Sequence, residues 1–269
     1  MKTDVFCRLL GLVLVLSGCM QTFNVHRVSK IEDLKRSNAT VWPLQYDYKG
    51  RLIMYGHTSI EYGENEIRIG RMDWDYRGEQ LLSAAYFFSE GEVFRSEAHC
   101  LLFTDTVRTE VWKEVDYQLC GDTVKMESTY LSIPDRHLLK QIYAQYVYDK
   151  DGNLGEIISR YVGTNHETTA CHSYYFYDHH ISCRSNLNMQ SFFIDVEGPD
   201  AFFFFLLDMD RKSKGHKLPN RIRYCVNHGK AVYTADGLYQ MDGDEMIRGE
   251  IISDEVRVRV RMGFEYFTN

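Results

Sequence analysis

Four stretches of the chain repeat one unit, an aromatic residue followed by aspartate and a turn. They are Tyr46-Asp47-Tyr48-Lys49-Gly50-Arg51-Leu52, Trp74-Asp75-Tyr76-Arg77-Gly78, Tyr148-Asp149-Lys150-Asp151-Gly152-Asn153-Leu154 and Tyr177-Asp178-His179-His180-Ile181, with a looser echo at Gln240-Met241-Asp242-Gly243-Asp244. In such a unit the aromatic ends a strand and the aspartate bonds a backbone amide two residues on. Glycine then takes the left-handed position that closes the turn, and an aliphatic residue starts the return strand. Each copy is therefore expected to be a hairpin. The aspartates sit at turns for backbone reasons and need no reaction to explain them.

The stretches between the turns alternate as strands do. Val111, Lys113, Val115, Tyr117 and Leu119 share one face, and Gly121-Asp122 turns the chain back through Thr123 to Tyr130. Ile142, Ala144, Tyr146 and Tyr148 share another face, and Val256, Val258, Val260 and Met262 alternate with Arg257, Arg259, Arg261 and Gly263. Around Gly70 the apolar phase slips from Ile67 and Ile69 to Met72 and Trp74, which predicts a bulge. Tyr and Phe, 19 and 15 against 4 Pro, favour the same pleated surfaces. Gly198-Pro199-Asp200 breaks the pattern and caps a short helix over 201–209, whose apolar run must be buried on most sides. The reading is all-β: one large antiparallel sheet, strongly curled or closed into a barrel, with one short helix near 200–209. It forms a single domain over 41–269, since sheets of this kind commonly reach 200–250 residues as one unit.

The N-terminus carries a different message. Lys2 and Arg8 precede the apolar run Leu9 to Leu16, too short for a bilayer span, which needs about 20 residues. Leu16-Ser17-Gly18-Cys19 resembles the lipobox of bacterial lipoproteins. That resemblance implies a signal peptide over 1–18, acyl chains on Cys19, and an anchor and tether over 19–40 in which Val28 to Ile31 is free to add an edge strand. The membrane is then a partner through Cys19. Met20 to Asn24 carries no acidic run, which favours an outer-membrane anchor facing the periplasm over display at the cell surface.

Site chemistry is sparse. The net charge of -7 provides no electrostatic footprint for nucleic acid. There is no nucleophile elbow, phosphate loop or zinc helix, so no catalytic residue, cofactor or metal is assigned. Cys171, His172, Asp178, His179, His180 and Cys183 carry ligand chemistry, but alternation sends Cys171 and His172 to opposite faces. Cys100, Cys120, Cys171, Cys183 and Cys225 form an odd set in an exported chain, with Cys171 and Cys183 the candidate pair across an expected hairpin. The ladder Arg257, Arg259 and Arg261 is a candidate anion site. Its simpler reading is a solvated outer face paired with Glu250 or Asp254. Either way, that face is unsuited to lipid. Trp42, Trp74 and Trp112 are able to stack on sugars or to pack across strands.

The Tyr-Asp-x-x-Gly-x-Leu units resemble the Tyr-Asp repeats of Rhs-type proteins. Together with the basic loop leading through Leu218-Pro219 to Ile222, the chain from Trp42 to Phe267 is similar to a family of exported lipoproteins of gut anaerobes with a porin-like fold. The resemblance implies a barrel and brings no activity. The expected role is a non-catalytic envelope module that binds a glycan or protein partner. The alternatives are a glycan-active hydrolase with carboxylates inside the barrel, or a carrier of an apolar ligand. Cys19→Ser is expected to abolish palmitate labelling and release the protein from the membrane fraction on cell fractionation.

Overall fold

The computed structural model describes residues 27–34, 40–76, 78–103, 107–163, 168–178, 181–183, 185–194, 196–209, 217–226, 231–253 and 258–267. Sixteen antiparallel strands close into a barrel. The first eight are β1 Val28–Asp33, β2 Thr40–Tyr46, β3 Leu52–Tyr55, β4 Thr58–Tyr62, β5 Glu66–Ile69, β6 Glu79–Ser89, β7 Glu92–Phe103 and β8 Arg108–Cys120. The rest are β9 Thr123–Ser132, β10 Leu138–Tyr148, β11 Leu154–Gly163, β12 Thr168–Phe176, β13 Arg221–Val226, β14 Ala231–Asp242, β15 Glu245–Ser253 and β16 Val258–Tyr266. Strand β1 lies within the stretch read as tether. It is no edge strand, because it pairs with both β2 and β16 and so seals the barrel.

The expected corners fold as the chemistry requires, at separate places. Asp47 Oδ1 accepts the backbone N–H groups of Lys49 and Arg51, and Gly50 takes φ +79°. Asp149 Oδ1 does the same for Asp151 and Asn153, with Gly152 at +80°. Asp75 accepts from Gly78 at 3.2 Å. Two local expectations are corrected. The phase slip at Gly70 marks the end of β5, after which Met72 N donates to Leu81 O, so it is a strand break and not a bulge. The Tyr177 copy is not a hairpin. It has no glycine to close the turn, and β12 pairs instead with β13 across the long excursion 177–220.

That excursion fills the lumen. It contains a 3-10 turn at Met189–Phe192 and the helix α1 at Pro199–Leu206, close to where the sequence placed it. Every residue of α1 is buried. A barrel of about sixteen strands is too wide for its own side chains to fill, and the aromatic run of α1 meets the inward faces of the wall. Phe204 stacks on Tyr117 at 4.6 Å, Phe205 packs on Tyr146 at 4.6 Å, and Phe203 meets Tyr55 edge-on at 5.9 Å. The wall yields space where the plug comes close. A Cβ on Gly249 would lie 2.4 Å from the Phe193 ring, and one on Gly237 would lie 2.3 Å from Pro219 O. The strand alternation expected on β8 holds: Val111, Lys113, Val115 and Tyr117 are buried, while Asp116 and Gln118 are exposed.

The same excursion overturns the expected Cys171–Cys183 pair. All five described cysteines are free thiols. Cys171 accepts a hydrogen bond from Tyr224 at 3.0 Å, whereas Cys183 travels with the plug to within 3.7 Å of the Tyr266 hydroxyl. The two ends of the barrel differ. The turns after β2, β4, β6, β8, β10 and β14 are tight and lie at one end with the barrel's first and last residues, where Phe267 N donates to Arg27 O. The other end is the mouth. Phe204→Ala, which opens a void among buried rings, is expected to destabilise the fold by about 3–5 kcal/mol, read as a lower urea-unfolding midpoint.

Candidate functional site

The mouth opens into a cup of about 1080 Å³. Its aromatic wall is set by the ends of β1–β3 and by the segment between β5 and β6. Trp42 and Tyr55 face inward by strand alternation, and the Asp75 turn swings Trp74 and Tyr76 beside them. Trp42 and Trp74 centroids are 5.2 Å apart, Trp42 and Tyr55 5.8 Å, and Trp74 and Tyr76 6.2 Å. Phe202 of α1 underlies this group, at 5.9 Å from Trp74 and 5.8 Å from Tyr76. The plug is thus the floor, through Phe192, Phe193 and Phe202.

Polar groups punctuate the rings. Asp33, Asp73 and Asp75 line the aromatic side. Burial pushes the Tyr55 hydroxyl well up, and the charges of Asp33 and Asp73 push it further. On a second wall, formed by β11 to β14, Tyr224 and Tyr233 stack at 5.1 Å, and Glu197 from the plug reaches the strands. Its Oε1 accepts hydrogen bonds from Ser159 at 2.8 Å and Tyr161 at 2.5 Å. Burial and then the Glu197 charge push Tyr161 up, so its hydroxyl keeps its proton and acts as a donor. The Nε1–H groups of Trp42 and Trp74 have no hydrogen-bond partner. Trp42 is 5% exposed. The cup thus sets aromatic side chains and carboxylate acceptors side by side.

A second polar cluster is fully buried and holds the plug to the wall. Lys113 Nζ on β8 lies 2.6 Å from Asp200 Oδ1 at the start of α1, 4.0 Å from Glu79 Oε1 on β6, and donates to Glu197 O at 2.9 Å. Glu79 also accepts from Tyr130 at 3.1 Å, and Tyr86 donates to Asp200 O at 2.6 Å. Burial alone would push the Lys113 ammonium down. The charges of Asp200 and Glu79 outweigh it and hold Lys113 above its ordinary value. Burial pushes Asp200 up against that attraction, because one cation faces two carboxylates. Gly198 sits against the cluster at φ +95°, where an added Cβ would lie 2.9 Å from Lys113 Nζ. The inward alternation of β8 had put Lys113 on an apolar face. A lone cation there was the sequence signal that it meets buried acids.

The sequence-predicted residues fall as follows. Cys19 and Arg257 lie outside the described residues, as does the side chain of Arg259. Arg261 is bridged to Glu250 on the neighbouring strand at 3.1 Å, and Glu250 also holds Arg248 at 2.5 Å. That is the paired outer face. His172 sits on the outside of β12, 2.7 Å from Glu156, while Cys171 faces the cup. His179 and His180 lie outside the described residues. Trp42 and Trp74 come together in the cup, but Trp112 does not, lying 6.4 Å from His99 on the outer wall. Lys113→Ala leaves two carboxylates buried without their cation and is expected to cost about 3–5 kcal/mol in urea unfolding. Lys113→Met combined with Asp200→Asn is expected to cost clearly less.

A family model described only by the suffix "-like" matches residues 28–264. Among solved structures, a porin-like protein from Bacteroides vulgatus ATCC 8482 is 32% identical, with a TM-score of 0.84 over 91% of this chain and 100% of that one. A porin-like protein from Bacteroides uniformis ATCC 8492 shares the fold at 14% identity, with a TM-score of 0.53 over 89% of this chain and 98% of that one. No curated protein matches.

Proposed function

This chain belongs to the family of the porin-like protein from Bacteroides vulgatus, and from that premise we propose that it is a membrane-tethered, plugged barrel that binds a glycan in its cup. The observation that carries this reading is the cup itself. Its aromatic wall and carboxylates suit a sugar, and among the described residues its floor is the buried plug.

The outside of the barrel supports a position in water beside the membrane. Ion pairs occur around the wall: Arg95 with Glu97 and Glu114, His172 with Glu156, and Arg261 and Arg248 with Glu250. Each cation on a lipid face would cost about 2–4 kcal/mol near the midplane. A lipid on Cys19 explains membrane attachment without that cost. Eight residues lie between Cys19 and Val28, a reach of about 30 Å at full extension. Because Val28 lies at the tight-turn end, the tether would hold that end toward the bilayer and leave the mouth facing away. An outer-membrane anchor facing the periplasm is the site we infer.

Hydrolysis is the second reading, since Asp33, Asp73, Asp75 and Glu197 line the cup and two of them would have to converge on one glycosidic bond. The buried acids Glu79 and Asp200 take no part in it, being gathered on Lys113. An apolar ligand would leave Asp73, Asp75 and Glu197 facing hydrocarbon. The mature chain carrying Cys19→Ser is expected to bind members of a glycan array, and Trp74→Ala to weaken that binding about tenfold, or about 1.4 kcal/mol, by calorimetry. In planar bilayers the chain is expected to give no conductance. A silent array would overturn glycan binding, and release of new reducing ends from a bound glycan would replace binding by hydrolysis.

A further inference from the structure

The chain enters the barrel at one corner of the tight-turn end, and that corner differs from the rest of the rim. Arg27 precedes β1, and its carbonyl accepts the backbone N–H of Phe267, which follows β16. The Arg27 guanidinium lies against the turn between β2 and β3, where a Cβ on Gly50 would be 2.7 Å from one of its nitrogens. At the tip of that turn Tyr48 is 90% exposed, with Lys49 Nζ 5.6 Å from its ring centroid. Phe267 is 52% exposed, and its ring meets Tyr46 edge-on at 6.2 Å. The acids of the corner are neutralised: Arg51 bridges Asp47 at 2.7 Å, and Lys30 bridges Glu265 at 2.5 Å. Arg27 and Lys49 make no ion pair among the described residues. The other tight turns present exposed acids, Glu64, Glu90, Asp122, Asp151 and Asp244.

We propose that this corner docks on the phospholipid surface to which Cys19 tethers the chain, with Tyr48 and Phe267 in the interfacial layer and Arg27 and Lys49 against lipid phosphates. The proposal rests on the tethered reading above and deepens it by naming the contact. The eight residues between Cys19 and Val28 lead into this corner, so a tether brings it to the lipid before the rest of the barrel. Exposed rings with a wet edge suit the boundary between headgroups and acyl chains. Cations without a carboxylate partner suit an anionic leaflet, from which the acidic turns elsewhere on the rim are repelled. The barrel therefore leans on one corner. The contact need not be strong, because a short tether gives it an effective concentration of about millimolar.

The test is vesicle flotation of the mature chain carrying Cys19→Ser, which has no acyl chain to hold it. With vesicles of phosphatidylethanolamine and phosphatidylglycerol at high lipid concentration it is expected to float, and to float less as salt is added. Tyr48→Ser with Phe267→Ser is expected to weaken partitioning roughly fivefold. Arg27→Gln with Lys49→Gln is expected to remove the preference for phosphatidylglycerol over phosphatidylcholine. Phe94→Ser, which removes an exposed ring on β7 outside the corner, is expected to change nothing. Circular dichroism checks that each variant is folded. No flotation of the parent chain, flotation undiminished by Tyr48→Ser with Phe267→Ser, or an equal loss with Phe94→Ser would overturn lipid docking and leave the corner to a protein partner. Lipidation of Cys19 is decided separately by palmitate labelling, and glycan binding by the array.

Discussion

Closing sixteen strands fixes the width of a barrel, and that width exceeds what inward side chains can fill. The rest of the molecule answers this constraint. The plug between β12 and β13 supplies the missing volume, with four consecutive phenylalanines, Phe202 to Phe205, all buried. Close packing demands that wall and plug fit at van der Waals distance, which is why Gly237 and Gly249 stand where they do. Without the plug the lumen would be wet, and the wall tyrosines Tyr86, Tyr117 and Tyr146 would lose their plug partners.

Apolar packing fills a space but does not fix one seating of a smooth helix within it. The buried ion cluster does that. Lys113 belongs to the wall and Asp200 to the plug, and each would be stranded in a low-dielectric interior if α1 slid or turned. The same ammonium also binds the carbonyl of Glu197, whose side chain reaches into the cup. The seating of the plug and the shape of the binding surface are therefore set by one set of contacts. Phe202 makes the point from the apolar side, since it packs against Phe203 below and Trp74 above.

The two faces of the barrel differ in character. Rings and aliphatic side chains point inward onto the plug, and paired charges point outward from β1, β7, β8, β11, β12, β15 and β16. Fold and environment are thus separable. The backbone ladder closes the same way in either solvent, because closure satisfies every strand edge. Which face meets which medium depends on side-chain alternation alone.

Much of this was legible in the chain itself. The turn chemistry at Asp47, Asp149 and Gly243, the alternation on β8 and β10, the short helix at Gly198-Pro199 and the pairing of Arg261 with Glu250 all follow from local rules with a period of two residues or a fixed turn. The aromatic residues of the cup were visible as a composition, and Trp42 and Trp74 were named. What local rules do not carry is the number of strands and the closure between β1 and β16, because pairing partners far apart in sequence leave no periodic trace. The fate of the Tyr177 unit followed from closure as well. Once the sheet was a wide barrel, the missing glycine released the chain into the lumen, not back along the wall. The meeting of Lys113 with Asp200, and of Trp42 with Trp74, belongs to tertiary structure alone. Each pair joins segments that only the closed barrel brings within a few ångströms of each other.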